Sequence, residues 1–285
     1  MTTAPASQSR TVPATSPSAG SLPERTVPIP GAKSDIPACV VDVGQGRPVV
    51  FLHGLVGLND HWEDVVRDVR SRVRCVMLEI PLLELRGDDC SIDGVTTLTA
   101  RFLERHLPGE RAVLVGNSFG GHVALRLALD RPELVGGLVL AGSSGLNERT
   151  MVREIRLKPN RAWMRRKIAE LFFDESTMRE ADVDRAYAEL SDRNKVRAML
   201  LLSKSARRNH LGERIHAIAC PTLVMWGRED IVTPPDAAQE FEKAIRDCRV
   251  VWFDRCGHAP MLEKPAEFAR ALRDFADELD RRPAR

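Results

Sequence analysis

Six short apolar runs recur along this chain, each stopped by a glycine, a polar turn or a His-Gly pair: Pro48–Leu52, Arg74–Ile80, Arg111–Val115, Val135–Ala141, Pro221–Trp226 and Arg249–Phe253. They are apolar at consecutive positions, not alternate ones. A strand needs that pattern when both faces of its sheet are covered. Between them lie amphipathic stretches with helical spacing: Thr96–Leu107, Phe119–Asp130, Pro235–Ile245 and Pro265–Leu279. Parallel strands must be joined by crossovers, usually helical. The alternation therefore predicts an α/β fold, a mostly parallel central sheet flanked by helices. Such sheets hold ligands at the carboxyl ends of their strands, so chemistry is to be sought in the residues that follow each run.

Two segments break the rhythm. In residues 2–24, 17 of 23 side chains are Pro, Ser, Thr or Ala, and Val12 and Leu22 are the only large apolar ones. A segment like this cannot bury enough apolar surface to offset the entropy of ordering it. A disordered tail is predicted over residues 1–35, with the folded core over 36–145 and 215–285. Residues 146–214 contain no convincing strand and read as a helical cap inserted between two strands. That segment carries 17 Lys and Arg against 11 Asp and Glu. Cations at helical spacing with acidic partners read first as a solvated face, and recognition of an anionic substrate is the alternative. Trp163, Met164, Leu171, Phe172 and Phe173 are divided between packing on the sheet and lining a pocket.

Over all 285 residues, 42 Lys and Arg nearly balance 40 Asp and Glu. A general nucleic-acid binder shows a basic excess, so none is expected as a partner. No apolar run approaches the ~18 residues of a membrane span, and the N-terminus lacks the apolar core of a signal peptide. Six cysteines without a Cys-x-x-Cys pair predict reduced, mostly buried thiols in a cytoplasmic protein. No spacing of His and Cys suits a metal, no phosphate-cradling glycine pattern follows a strand, and no cofactor is expected. Nothing in the sequence assigns an oligomeric state.

Three positions that follow strands could together do chemistry. Gly116-Asn117-Ser118-Phe119-Gly120-Gly121 joins a strand to a helix and fits the G-x-S-x-G turn. There the serine adopts strained backbone angles, and neighbours two before and two after come too close for any side chain. The helix that follows aims its N-terminal amides at the site. Asp230 follows Pro221–Trp226, and His258 follows Arg249–Phe253. A serine hydroxyl is a weak nucleophile at neutral pH. It needs an imidazole to take its proton and a carboxylate to fix the imidazole tautomer. Glu229 is a lesser candidate for the acid, and Asp254 reads as a turn residue. His61, His106, His122, His210 and His216 fall on helix-like or cap segments and read as surface or helix residues. In His53-Gly54-Leu55-Val56-Gly57, which follows Pro48–Leu52, the backbone N–H of Leu55 and that of Phe119 are the expected oxyanion donors. His53 reads as a loop-orienting residue, and Trp62 as either core or pocket wall.

Taken in order, HGLVG, GNSFGG, WGREDIVTP and CGHAPMLEKPAEF resemble the motifs of the α/β-hydrolase superfamily, over about Ile36 to Leu279. They are similar to the capped serine hydrolases, the carboxylesterases and the meta-cleavage-product (carbon–carbon bond) hydrolases. The resemblance implies Ser118, Asp230 and His258 as a triad, Leu55 and Phe119 as the oxyanion hole, and 146–214 as the cap. Haloalkane dehalogenases and epoxide hydrolases use an aspartate where this chain has Ser118. The Gly-Asn-Ser-x-Gly-Gly form is similar to the carbon–carbon hydrolases, but those usually carry Trp after the catalytic His, and this chain has Ala259. The Glu79-Ile80-Pro81 region is only partly similar to the stretch that relatives carry there. The expected function is hydrolysis of a small to medium carboxylic ester through an acyl-enzyme, with a small-molecule substrate as a partner. The alternatives are a carbon–carbon bond hydrolase and a hydrolase-fold ligand receptor with slow turnover.

Overall fold

In the computed structural model, which describes residues 22–146 and 160–282, eight strands form one sheet. They are β1 (Glu24–Pro30), β2 (Asp35–Val43), β3 (Pro48–Leu52), β4 (Arg74–Glu79), β5 (Ala112–Asn117), β6 (Val135–Ala141), β7 (Thr222–Gly227) and β8 (Cys248–Phe253). Across the sheet they run β1-β2-β4-β3-β5-β6-β7-β8. The β1/β2 and β2/β4 pairs are antiparallel; every pair from β4 to β8 is parallel. The helices are α1 (Glu63–Val69), α2 (Ile92–His106), α3 (Phe119–Asp130), α4 (Arg161–Ala169), α5 (Glu180–Glu189), α6 (Arg193–Arg208), α7 (Pro235–Ala244), α8 (Pro260–Glu263) and α9 (Pro265–Arg281).

This is the α/β architecture that the alternation predicts, and β3 shows why. All five of its residues are buried. Val49 and Phe51 point into an apolar layer shared with Val65, Val66 and Val69 of α1 and Phe268 and Leu272 of α9. Val50 and Leu52 point into the opposite layer, shared with Leu98 and Phe102 of α2 and Val123 of α3. Trp62, left open between core and pocket, belongs to the first layer. It is fully buried, with its ring centroid 5.4 Å from that of Phe51 and 5.9 Å from that of Phe268.

The sheet corrects one boundary. Residues 24–35, which the expected tail includes, form β1, a short bend and the start of β2. Pro28 and Pro30 hid the strand, because proline removes ladder donors and argues against a central strand. Among the described residues β1 is an edge strand, where prolines are tolerated, and its Ile29 is 1% exposed in the core. Leu22 is also buried in the core, and residues 1–21 of the expected tail lie outside the described residues. Between β6 and β7 the described residues contain only helical elements. Met164, Ile168, Val183, Val196 and Met199 of α4, α5 and α6 form a third apolar cluster, which also takes in Leu83 of the core. Residues 147–159 of the expected cap lie outside the described residues. Among the described residues no helix is long and apolar enough to cross a membrane.

Two buried histidines make the fold acid-sensitive. His53, in the loop after β3, and His122, in α3, are both pulled down to about 4 by burial. For His122 a bond to Asn209 Oδ1 at 3.3 Å opposes the shift only in part. In the unfolded chain each titrates near ~6.5. From there down to about 4, the unfolded chain takes up a proton that the native state refuses, so stability falls as pH falls. The limiting slope is about 1.4 kcal/mol per pH unit for each group. Glu79 acts in the opposite sense, since burial raises its carboxyl and the native state binds its proton first. The urea midpoint of the wild-type protein is expected to fall from pH 7 to pH 5. It should fall less steeply in His122→Gln, and an identical slope in the variant would refute the assignment.

Candidate active site

β5 ends at Asn117 and α3 begins at Phe119, leaving Ser118 alone to turn the chain. Its φ of 52° and ψ of −116° lie in a region that costs a non-glycine residue of order 1–3 kcal/mol. The flanking glycines make the turn possible. A Cβ on Gly116 would lie 2.5 Å from the Gly120 backbone, and one on Gly120 would run into the Leu52 carbonyl of β3. The backbone of Ser118 is pinned by bonds that do not involve its hydroxyl. Its N–H donates to Ala141 O at 3.1 Å, and its carbonyl accepts from Ser144 N at 3.0 Å. Sequence reasoning passed over Asn117. Its buried amide donates to Ala141 O at 3.0 Å and to His258 O at 3.1 Å, tying the serine turn to the histidine loop.

Asp230 and His258 meet across the ends of β7 and β8. His258 Nδ1 lies 2.8 Å from Asp230 Oδ2, and both side chains are almost wholly buried. Asp230 Oδ1 accepts from the N–H groups of Val232 at 2.8 Å and Thr233 at 3.0 Å. The Thr233 hydroxyl donates to Oδ2 at 2.8 Å and lies 3.2 Å from His258 Nδ1. Burial alone would raise the Asp230 carboxyl, but His258 and the Thr233 donors outweigh it and hold the carboxyl below its usual range. A carboxylate facing Nδ1 requires a hydrogen there, so Nε2 is the nitrogen free to accept. Among the described residues both bonds of the ring run through Nδ1. Thr233 was not singled out from the sequence, although Asp-x-Val-Thr ahead of two prolines is an aspartate turn that such a threonine completes.

Ser118 and His258 line the same cavity, of about 260 Å³, and Leu55 and Phe119 stand in its wall. The bond that the structure shows closed is the one between His258 and Asp230. Trp163, Met164, Leu171 and Phe172 of the inserted helical segment also line the cavity, whereas Phe173 is 44% exposed outside it. The other carboxylates serve elsewhere. Glu229 accepts from Cys256 N at 2.9 Å, and Asp254 pairs at the surface with Arg228. His53 bonds to Gly54 O at 2.7 Å through Nδ1, within its own loop. His61, read as a surface or helix residue, ends a short 3-10 turn (Asn59–His61), reaches the cavity wall and lies 3.2 Å from Arg185 Nη2 and 3.5 Å from Asp182 Oδ2. The positive charge of the inserted segment is extensively paired, as in Arg161 with Asp184 and Glu180, and Arg185 with Asp182.

Residues 49–271 match the model of the Alpha/beta hydrolase family. The chain is 31% identical over 258 residues to a 2-hydroxy-6-oxononadienedioate/2-hydroxy-6-oxononatrienedioate hydrolase of Paraburkholderia xenovorans, covering 82% of this chain and 88% of that one. It is 28% identical to a pimeloyl-[acyl-carrier protein] methyl ester esterase of Nitrosomonas europaea, covering 79% of this chain and 94% of that one. Among solved structures it resembles an alpha/beta hydrolase enzyme from the metagenome of lagoon sediments at Mar Chica, Morocco. The TM-score is 0.69 at 30% identity, over 89% of this chain and 99% of that one.

Proposed function

Because the chain belongs to the alpha/beta hydrolase family, whose fold and enzymatic character it shares, we propose that it is a serine hydrolase of small to medium carboxylic esters. The observation that carries this reading is a strained Ser118 in one apolar cavity with a His258 already bonded to a buried Asp230. Helices α4, α5 and α6 act as the cap over that cavity. Ser118 Oγ attacks the ester carbonyl while His258 Nε2 takes its proton. Asp230 holds Nδ1–H and stabilises the imidazolium. The oxyanion is received by the N–H groups of Leu55 and Phe119, each worth about 2.7–4 kcal/mol of the barrier. The alcohol leaves with the proton from His258. Water then gives a proton to His258 and attacks the acyl group, and Ser118 regains its hydrogen. In a resting enzyme the serine–imidazole bond is often open and closes only around substrate.

A second reading, hydrolysis of a carbon–carbon bond in a vinylogous diketone, draws support from the relative at 31% identity. It uses the same side chains. Ala259 after His258 favours the ester reading, since the carbon–carbon hydrolases resembled here usually have Trp at that position. A fluorophosphonate probe is expected to label Ser118 and stop turnover, and a panel of 4-nitrophenyl esters should be turned over far faster than a dienol diketone. The reverse preference would install the second reading, and an unlabelled Ser118 would remove both.

A further inference from the structure

The loop that carries His258 is fastened to the inserted helical segment at several points. His258 N donates to Leu171 O at 2.7 Å. Gly257 sits directly beneath the same turn: a Cβ there would lie 2.6 Å from Leu171 O and 3.0 Å from Phe173 N. Arg255, held at a φ of 53°, places its guanidinium over the Phe173 ring, 5.7 Å from the centroid. One side chain bridges both sides of this junction. Glu263, the last residue of α8, accepts from Gly257 N at 2.7 Å through Oε1. Through Oε2 it accepts from Phe173 N at 2.9 Å and Asp174 N at 3.2 Å.

We propose that Glu263 is a positioning residue that clasps the His258 loop to the turn Leu171–Asp174, so that the cavity wall and the general base take their places together. The chemistry of the carboxylate suits the task. The three backbone groups it serves are all donors, and a carboxylate offers acceptors on both of its oxygens. Leu171 and Phe172 of the clasped turn line the cavity beside His258. Lifting that turn away from the core would break the Leu171 bond to His258 N and pull on the imidazole. The cavity wall cannot open at this point while the base keeps its backbone anchor. This inference rests on His258 acting as the base.

The decisive variant is Glu263→Gln, which keeps the shape but sets an NH₂ against either the Gly257 N–H or the pair from Phe173 and Asp174. Misplacing a catalytic group by about 1 Å costs roughly a hundredfold. A fall in kcat of that order is expected, with KM for a short ester little changed. In the proton NMR spectrum of the wild-type protein, the low-field signal of His258 Nδ1–H against Asp230 should be sharp; in the variant it should shift or broaden. An unaltered kcat and an unaltered low-field proton, in a variant that folds, would overturn the proposal. Should the variant fail to fold, hydrogen exchange on the wild-type protein decides. The amides of Phe173, Asp174, Gly257 and His258 should exchange with matching protection, and independent protection of the two segments would overturn the clasp. Failure of the broader reading looks different, because wild-type protein would then neither turn over esters nor take the fluorophosphonate.

Discussion

Ser118→Ala is expected to lower kcat about a million-fold while leaving the protein folded. Removing a triad nucleophile costs of that order, and what survives reflects oxyanion donors and binding alone. The fold should be indifferent, because the bonds that pin this turn belong to the Ser118 backbone: its N–H to Ala141 O and its carbonyl to the Ser144 N–H. Alanine meets the same positive φ with a side chain of similar girth, so the strain is unchanged. Ser118 stands at the N-cap of α3 but its hydroxyl makes no capping bond there, so the substitution is expected to stay within about 0.5 kcal/mol of the parent. Ester turnover under saturating substrate, together with the urea midpoint, checks both halves. Turnover near the wild-type rate in a folded variant would remove Ser118 from the mechanism.

Asp230→Asn should come next in size, with a fall in kcat of about ten-thousand-fold and geometry intact. The reason is tautomeric. Asparagine can keep its oxygen where Oδ1 accepts from Val232 and Thr233. Its NH₂ then replaces Oδ2 opposite His258 Nδ1. Facing a donor, the ring puts its hydrogen on Nε2 and can no longer accept the serine proton there. The stabilising charge for the imidazolium is lost as well. Steady-state kinetics and the NMR signature of the ring hydrogens test this, and a variant within tenfold of wild type would reassign the acid to another residue.

Much of this arrangement is legible in the sequence. The consecutive apolar positions of β3, β5, β6 and β7 announce strands covered on both faces, because burial leaves polar residues no place there. Gly116 and Gly120 announce the serine turn, because the approach of β3 and α3 leaves room only for hydrogen. Strand β1 was lost because its prolines obey the rules of an edge, and an edge is a property of the whole sheet. Trp62 could not be assigned because depth depends on α9, more than 200 residues away in the chain. The place of His61 in the cavity wall is not legible because its partners Asp182 and Arg185 come from the inserted helices. Asn117 and Glu263 act on backbone groups, and Thr233 on the Asp230 carboxylate, all brought within reach only by the fold, so their residue types alone carry little information.

The outer margin of the sheet has one further effect. In β1 (ERTVPIP) two of seven residues lack an N–H, and Glu24 and Arg25 add charge at its start. An unpaired strand is otherwise a template on which a second chain can extend the sheet. With Pro28 and Pro30 in its outermost row, this protein offers a neighbour an interrupted set of donors, and stacking of one molecule on another through that rim is discouraged while β1 still shields the interior.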